Sequence, residues 1–512
     1  MITPQQPIFW SDQIALEIQK ERKKFVVSTG ITPSGHIHIG NMREVLTADT
    51  VVKSLRLLGK DVTFYYIADT FDPLRKVYPF LDAKIYEQHI GKPLSEIPAP
   101  GNSTTKSYAE HFLQPFLDAL EDLDIHVQVH RADQMYKQGL YVPQIIKALE
   151  AKDEIRKILK DETGKETEDD WSPFQVIDTQ TGKMSGNKVV GFDAKNETIQ
   201  YVSETGYEGE VSMRGGGKLT WRVDWPARWQ ILGVTFEPFG KDHASKGGSY
   251  DTAVRFAREI FGFEPPHPAV YEWISLKGGG DMSSSKGNVI SVAEMIDVVP
   301  PDVLKYSVMK VQPNKTIMFD PGLPLLNLID EFDDETSKQR NHRAVELSKI
   351  SKLPPVGVPF KHIVFLTQLL NGDPKAVSEK IVLGGYGKPN LESLQRRVEY
   401  AKRWLEKFGP EDMKFSLQKE IPSDAKDLNN LQKKALDEFQ KFLSPNMQAT
   451  AIHEFVYKLK ETLSIEPKFI FEAIYISLFG KKSGPKAGMY FASLEPNDLN
   501  FVKERFRQVS TL

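Results

Sequence analysis

Two histidines stand two residues apart in the glycine-rich segment PSGHIHIGN, residues 33–41. Paired histidines can bind a metal, but no cysteine or close carboxylate completes a ligand set around His36 and His38. The segment could instead be a turn with surface histidines. It could also bind a phosphate, because Gly35 and Gly40 let a ligand approach the backbone and a helix N-terminus attracts anions. Taken alone, the segment leaves the turn and the phosphate site open.

A second glycine-rich segment, GGGDMSSSKGN at residues 278–288, places Lys286 among hydroxyl groups. Such a composition usually forms a flexible surface turn. A cation on a hinged loop can also close over a triphosphate and stabilise the charge that builds in a transition state.

A third segment, GKDHASKGGSYD at residues 240–251, sets His243 and Lys246 before a glycine pair and a helix start. An anion or an adenosine ribose could bind there. The alternative is an exposed loop in which Ser249 caps the helix. Beside the other two segments, we interpret it as part of one site.

The elements around the first segment predict a βαβ unit. FVVS, residues 25–28, has the apolar character of a short buried strand. After the glycines, Val45 and Val52 fall on one helical face, and Gly59 suits the end of that helix. DVTFYYIAD, residues 61–69, is the second strand. A strand, glycine loop, helix and strand in this order are typical of a parallel sheet.

The composition indicates an ordinary soluble protein of two to four domains. The chain has 512 residues, 40% hydrophobic and 26% charged. The sequence contains no cysteine, which excludes disulfides, and its net charge of −3 does not by itself indicate a nucleic-acid partner. The N-terminus lacks a signal-peptide pattern, and the apolar stretch at residues 469–480 is too short to span a bilayer. We therefore expect a cytosolic protein without a membrane segment.

The order of elements predicts an α/β fold with an insertion and a helical C-terminal part. The strand and helix signals loosen after about residue 76 and resume near residue 218, with hairpins between that turn at glycines 182 and 206. Further strands are expected at 126–133 and 270–276. The predicted boundaries are 1–75 and 213–295 for a Rossmann-like parallel-sheet catalytic domain, 76–212 for an inserted domain with hairpins near 171–211, 296–352 for a helical linker and 353–512 for an all-α C-terminal domain.

Together, HIGN at a helix start and MSSSKG in a later loop resemble the two signatures of class I aminoacyl-tRNA synthetases, usually written HIGH and KMSKS. The chain resembles most closely the class I lysyl-tRNA synthetases, through TGITPSGHIHIGN, RVDWPARW, DHASKGGSYD and MSSSKGN. The likeness covers most of residues 5–330, and the helical C-terminal part fits the family's anticodon-binding domain more loosely.

The resemblance implies an ATP-dependent enzyme that forms lysyl-adenylate, with Mg²⁺ on the leaving pyrophosphate, and passes lysine to tRNA(Lys). It implies that the inserted domain is a connective domain facing the acceptor stem, that 296–352 contact the tRNA stem and that 353–512 bind the anticodon. We expect a monomer.

The resemblance also assigns site residues. The expected catalytic residues are His38 and Lys286. The expected ATP-binding residues are Pro33, Gly35, His36, His38, Gly40, Asn41, Lys246, Met282, Ser283, Ser284, Ser285 and Lys286. The lysine-binding residues expected from the resemblance are Gly30, Thr32, Trp221, His243 and Tyr271. Their position and charge add Asp69, Asp72 and Asp224 as candidates.

A lysine pocket needs a carboxylate for the ammonium group and aromatic faces along the stem. Asp69 and Asp72 could supply charge, although aspartate is also a common turn residue. Asp224 could equally pair with a neighbouring arginine in WRVDWPARW. We interpret Trp225 and Trp229 as core residues, because aromatic side chains are mostly buried.

The chain departs from the resembled family in two places. Many members carry zinc-binding cysteine pairs in the insertion, where this chain has Asp178, Thr181, Ser203 and Thr205. Hydroxyls are poor zinc ligands, so we expect these hairpins to persist without zinc. Asp281 stands where the second signature usually has a basic residue, and the phosphate-directed role therefore falls on Lys286.

Three alternatives remain. A glutamyl-type synthetase is the nearest, but the related glutamyl enzymes have an arginine before the HIGH loop where this chain has Ser28. A nucleotidyltransferase without tRNA would leave the helical C-terminal third without a purpose. The third is a non-catalytic RNA-binding relative, against which His38 and Lys286 argue.

Residues 338–361 contain six lysines and arginines against one acidic residue. They could contact tRNA phosphates or form a solvated face. For the anticodon, composition alone makes Trp404, Arg396 and Arg397 candidates.

Overall fold

The fold is seen in a computed structural model, which describes residues 8–278, 280–281, 290–338, 343–411, 413–445 and 447–512. The chain divides into two compact units, the first Met1–Phe319 with Asn341–Ser351 and the second Asp320–Arg340 with Lys352–Leu512.

The strands lie in the first unit. They are β1 (Phe25–Ile31), β2 (Val62–Ala68), β3 (Gln128–Arg131), β4 (Phe174–Val176), β5 (Lys188–Asp193), β6 (Thr198–Val202), β7 (Glu208–Ser212), β8 (Gly217–Leu219), β9 (Phe236–Gly240), β10 (His267–Tyr271), β11 (Ile274–Leu276), β12 (Gly280–Asp281) and β13 (Ile317–Phe319).

The helices occur in both units. They are α1 (Trp10–Glu21), α2 (Ile39–Leu57), α3 (Ala83–Tyr86), α4 (Tyr108–Asp122), α5 (Ala132–Lys137), α6 (Val142–Glu150), α7 (Lys152–Thr163), α8 (Trp221–Leu232), α9 (Ser249–Arg255), α10 (Val292–Val298), α11 (Pro301–Met309), α12 (Leu323–Ser337), α13 (Arg343–Ser348), α14 (Phe360–Leu369), α15 (Pro374–Leu383), α16 (Leu391–Lys407), α17 (Asn430–Phe442), α18 (Ala449–Leu463), α19 (Pro467–Phe479), α20 (Ala487–Ala492) and α21 (Pro496–Ser510). A π-helix (Phe256–Phe261) continues α9.

The central sheet is parallel, in the order β10-β9-β1-β2-β3. β1 and β2 pair along their whole length, from Phe25 opposite Val62 to Ile31 opposite Ala68. The helix α2, buried along most of its length, joins them. The predicted βαβ unit and parallel sheet are therefore confirmed, and the strand order reverses at β1, between β2 on one side and β9 on the other.

The predicted inserted range, 76–212, contributes a strand to that sheet. β3 lies within this range and pairs in parallel with β2. Helices α3 to α7 lie between residues 83 and 163 of this range. Near 171–211, where hairpins are predicted, β5, β6 and β7 form an antiparallel sheet, and β4 pairs with β8, which lies just beyond the range. Gly182 and Gly206 have φ of 72° and 84°, left-handed values that glycine adopts readily in turns.

The turns where zinc ligands would stand are closed by hydrogen bonds. The carboxylate of Asp178 accepts from the backbone amides of Gln180 and Thr181, and from the hydroxyls of Thr181 and Tyr201. Ser203 Oγ accepts from the amide of Tyr207. These oxygens already have hydrogen-bond partners, and hydroxyls bind zinc poorly, so the residues present do not fit a zinc ion.

The stretch predicted as one strand at 270–276 forms two strands in different sheets. β10 ends at Tyr271 in the central sheet, and β11 begins at Ile274 between β12 and β13. The amide of Glu272 donates to Pro313 O, 2.8 Å away, so the chain leaves the central sheet at this point. The prediction of a single strand was wrong because an apolar run does not reveal which sheet each residue joins.

The regular elements that the structure describes in the second unit are all helices, as the sequence predicts for the C-terminal part. Trp404 is fully buried in it and donates through Nε1 to Pro321 O, so it is a core residue rather than an exposed base-stacking one. Arg397 is ion-paired with Asp333. None of the described helices is long and apolar enough to cross a membrane.

Candidate active site

A cavity of about 990 Å³ opens at the carboxyl ends of the central strands. Its walls include Gly30 at the end of β1, Asp69 just after β2, Gly240 at the end of β9 and Tyr271 at the end of β10. The strand order reverses between these elements, and ligands of open α/β sheets bind at such reversal points. The fold therefore places residues of the first and third glycine-rich segments around one crevice.

His38 caps the helix α2 with its side chain. Its Nδ1 accepts from the amide of Gly40, 3.1 Å away, and its own amide donates to Asn41 Oδ1. Burial lowers the pKa of His38 to about 4, so the ring is neutral at physiological pH. Because Nδ1 accepts, the proton lies on Nε2, and His38 offers a neutral donor to the cavity that it borders.

The histidine motif at residues 36–41 is hydrogen-bonded to residues 290–292, which come shortly after the lysine-containing segment 278–288. The amide of Ile39 donates to Ile290 O at 3.2 Å, and the amide of Val292 donates to Ile37 O at 3.3 Å. On the other side, Asp281 of β12 pairs with Ser275 of β11. Residues 282–289 lie outside the described residues, and backbone pairing holds the residues on both sides of them.

Glu44, on the second turn of α2, borders the cavity and was not predicted as a site residue. Its Oε1 accepts from the amide of Gly30 at 2.9 Å, and its Oε2 accepts from the hydroxyl of Tyr271 at 2.7 Å. Burial raises the pKa of Glu44 to about 8. Among the described residues no cation is ion-paired with it. Its sequence signal was only an acidic residue one turn after Gly40.

A buried ionic network lies beneath the cavity. Arg228 bonds to both Asp69 and Asp224, and Lys218 Nζ lies 2.5 Å from Asp72 Oδ1 and 3.6 Å from Asp224 Oδ2. Burial acts to raise the pKa of Asp72, but the charge of Lys218 outweighs it and holds that pKa below its usual value. Burial dominates at Asp69 and raises its pKa. Three carboxylates thus face two cations.

Comparison with known proteins decides the family. A family model described as tRNA synthetases class I (K) matches residues 8–353. The chain belongs to this family. The lysine–tRNA ligase 1 of Methanosarcina acetivorans is 46% identical to this class I synthetase, and the match covers 98% of each of the two chains. The lysine–tRNA ligase of Archaeoglobus fulgidus is 44% identical, over 97% of this chain and 99% of its own. A solved glutamate tRNA ligase from Elizabethkingia meningosepticum is 14% identical, with a TM-score of 0.43, and covers 96% of this chain and 99% of its own.

Most of the expected site residues that the structure describes in this class I synthetase border the cavity. Those that border it are Gly30, Thr32, His38, Gly40, Asn41, Asp69, Asp72, Trp221, His243 and Tyr271. The expected Met282, Ser283, Ser284, Ser285 and Lys286 lie outside the described residues.

Five expected residues lie away from the cavity wall: Pro33, Gly35, His36, Asp224 and Lys246. The ring of His36 is exposed and packs edge-on against Phe112, with 5.1 Å between centroids. Asp224 has no exposed surface and accepts from the hydroxyls of Tyr136 and Tyr141. The geometry therefore gives Asp224 a supporting role in the ionic network in place of the expected contact with lysine.

The aromatic wall is layered. Trp221 borders the cavity, and its ring stacks on Trp225 with 5.4 Å between centroids. The ring centroid of His243 lies 6.0 Å from that of Trp221 and 5.5 Å from that of Trp225. Trp225 and Trp229 are buried, which confirms that they belong to the core. Trp221 thus gives the cavity wall an aromatic side chain, which packs on the buried tryptophan Trp225.

Proposed function

We propose that the cavity is where this chain, a lysine–tRNA ligase, activates lysine with ATP and then transfers it to tRNA(Lys). In the first step a carboxylate oxygen of lysine attacks the α-phosphorus, and the bond to pyrophosphate breaks. In the second, the ribose of the terminal nucleotide takes the acyl group and AMP leaves. Lysine–tRNA ligases that match over nearly the whole chain support this activity.

The observation that carries the choice of lysine is the unbalanced carboxylate of Glu44. In this proposal the ε-ammonium binds Glu44 and the hydroxyl of Tyr271, and the stem lies along Trp221. A glutamate side chain would meet Glu44, whereas the nearby buried cations, Lys218 and Arg228, are already paired with aspartates. The cavity therefore suits a cationic amino acid better than an anionic one.

The α-ammonium would lie towards Asp69 and Asp72, which border the cavity. Their network holds one more carboxylate than cations, so it attracts a second positive charge. Thr32 donates to Asp72 Oδ2 at 2.8 Å and keeps that carboxylate oriented.

The phosphates of ATP would lie over the start of α2, where Gly40 and Asn41 face the cavity and the helix dipole favours an anion. His38 would donate Nε2–H to them, and Lys286 would stabilise the charge on the leaving pyrophosphate. Loss of one such donor typically lowers the rate roughly 10²- to 10³-fold. Mg²⁺ would enter with ATP as part of the substrate. No step clearly needs a protein base, since alignment and charge stabilisation can suffice.

The remaining expectations complete the proposal. The enzyme would work as a cytosolic monomer, its hairpins would need no zinc because hydrogen bonds close their turns, and the predicted helical C-terminal domain, 353–512, would bind the anticodon.

The deciding assay is amino-acid-dependent ATP–pyrophosphate exchange with each of the twenty amino acids, run with and without tRNA. We expect exchange with lysine. Exchange that depends on glutamate, or none under any condition, would defeat the proposal. Asn41→Ala, next to the histidine motif, and Glu87→Ala, on an exposed helix, serve as site and control variants.

A further inference from the structure

We propose that Trp273 is the stacking platform for an adenine ring in this cavity, an inference that rests on the proposed synthetase function. The ring could come from ATP or from the terminal adenosine of tRNA. Both present the same flat π-face, to which an indole offers one of the largest partners among side chains.

Trp273 lies where the chain passes from β10 to β11. It borders the cavity, yet its side chain is 38% exposed, although a tryptophan is usually well covered. The lysine pocket proposed above does not use it, since Trp221 and Tyr271 already serve the stem and the ammonium. Its exposed surface is thus an unused aromatic surface at the rim of the site.

The Trp273 ring is supported by a cation. Lys241 Nζ lies 5.0 Å from the ring centroid, and its charge is balanced by Glu272, 2.6 Å away. Lys241 follows β9 and Glu272 follows β10, so the ends of two adjacent strands build this support. One ring face is engaged by the ammonium, and a flat ligand can stack on the other.

The backbone around Trp273 is also fixed. The amide of Glu272 donates to Pro313 O at 2.8 Å, and the carbonyl of Trp273 accepts from the amide of Ile317 at 3.2 Å. Gly240 lies beside the indole: a Cβ there would come within 3.6 Å of Trp273 Nε1. A platform held on both sides loses little conformational freedom when a base stacks on it.

The volume of the cavity, and the positions of Glu44, His38 and Trp273 around it, leave room for a base. Its volume of about 990 Å³ is at the upper end for small-molecule sites and exceeds what one amino acid needs. Glu44 marks the ammonium end and His38 the phosphate end. Trp273 follows Tyr271 by two residues and leads into β11, whose neighbour β12 runs to the second signature. The base of a nucleotide bound at His38 therefore has an aromatic surface within the same cavity.

The test compares Trp273→Ala, Trp273→Phe and Trp273→Leu with the unmodified full-length chain. We measure KM for ATP in lysine-dependent exchange, with tRNA added if exchange requires it, and KM for tRNA in aminoacylation at saturating ATP. Loss of one stacked base should raise the affected KM roughly 5- to 100-fold in the alanine variant. Phenylalanine should restore most of the loss and leucine should not, because only phenylalanine keeps a π-face.

A raised KM for ATP alone identifies the base of ATP as the ligand, and a raised KM for tRNA alone identifies the terminal adenosine. Unchanged values for both, rescue by leucine equal to rescue by phenylalanine, or a rise confined to the KM for lysine would overturn the proposal. Phe192→Ala is the matched control, since Phe192 is 37% exposed on β5 and does not border the cavity. If the unmodified chain shows no lysine-dependent exchange, the proposed function fails, which is a different result from unaltered kinetics in the variants.

Discussion

Glu44 owes its raised pKa to burial beside other carboxylates, and no cation of the described part of the chain is ion-paired with it. A carboxyl in this state is protonated for much of the time near neutral pH. A bound ammonium group would stabilise the ionised form and displace that proton. The residue would thus link lysine recognition to proton release.

We expect lysine binding near pH 7 to release a proton, and lysine affinity to increase as pH rises from 6 to 8. Titration calorimetry in two buffers of different ionisation enthalpy measures the release directly. Glu44→Gln should abolish the dependence on buffer and raise the KM for lysine at least about 30-fold, because a buried charge loses its partner. Identical apparent enthalpies in both buffers for the unmodified protein would contradict this role. Glu150→Gln, at an exposed carboxyl that does not border the cavity, is the control.

The sequence predicts half of the residues that line the cavity and misses Glu44, which has no ion-pair partner among the described residues. His38, Gly40 and Asn41 form a motif, and motifs show in a single chain. Glu44 has no motif: its importance comes from Gly30 and Tyr271, which are distant in sequence or in another element and meet it only in the fold. Asp224 is the opposite case: the sequence left open a contact with lysine or a pair with a neighbouring arginine, and the structure shows the pair with Arg228.

At the scale of elements, Arg43 connects the helix α2, which begins in the histidine motif, to the segment that leads into the sheet of β11, β12 and β13. It is buried, and its Nη2 donates to the carbonyls of Gln312, Pro313 and Lys315 at 3.1, 2.9 and 2.7 Å. Those residues lead into β13, which pairs with β11. The position of α2 is thereby coupled to that of the strands before residue 282.

Arg43→Ala should lower the kcat of lysine-dependent exchange at least tenfold, with a smaller effect on the KM for lysine, because the two signatures would lose their common alignment. It should also lower the free energy of unfolding by roughly 2–4 kcal/mol, as buried carbonyls lose their donor. Steady-state kinetics and chemical denaturation measure the two effects. Arg56→Ala on the same helix, where the side chain makes one long bond to Val62 O at 3.3 Å, should change neither by much. A loss of stability without a loss of kcat would leave Arg43 with a structural role only.

Hydrogen bonds stabilise the hairpin turns at Asp178 and Ser203. Asp178→Ala should lower the free energy of unfolding by roughly 1–3 kcal/mol, because it leaves turn amides and hydroxyls without acceptors. EDTA should leave the Tm of the unmodified protein unchanged. Differential scanning calorimetry checks both. Asp193→Ala removes a similar but exposed turn acceptor, which bonds to Lys195 and Asn196, and should cost less. A fall in Tm with EDTA would show that a metal contributes after all.

At the scale of the whole molecule, the sequence predicts the type of structure in each part of the chain better than the residues at which the parts begin and end. The parallel sheet and the helical C-terminal part follow from local patterns of apolar residues. The limits depend on long-range pairing: the second unit begins at Asp320, and β3 joins the sheet from inside the predicted insertion. A parallel strand finds its neighbour across a long connection, so its own residues carry little information about which sheet it joins.

The stability of the first unit should also depend on pH through Glu237. Burial raises the pKa of Glu237 to about 7, and the carboxyl accepts from Trp229 Nε1 at 2.5 Å. Its folded pKa lies above the unfolded value, so its contribution to stability is complete below about pH 4.5 and is lost as pH rises through 7. Between pH 5 and 8 we expect Tm to fall, and to fall less in Glu237→Gln. Equal slopes in the two proteins would refute the assignment. Glu150→Gln on the exposed face of α6 is the control.

The place of β3 at the edge of the central sheet sets a limit on how the enzyme can be shortened. Removal of all of 76–212, to obtain a small lysine-activating core, would also remove β3. The amides and carbonyls of β2 that pair with Gln128–Arg131 would then be open to solvent. An open, apolar edge of this kind pairs readily with strands of other chains and leads to aggregation. A soluble miniature enzyme must therefore keep the stretch that contains α4 and β3, and trimming should begin in the β5–β7 hairpins.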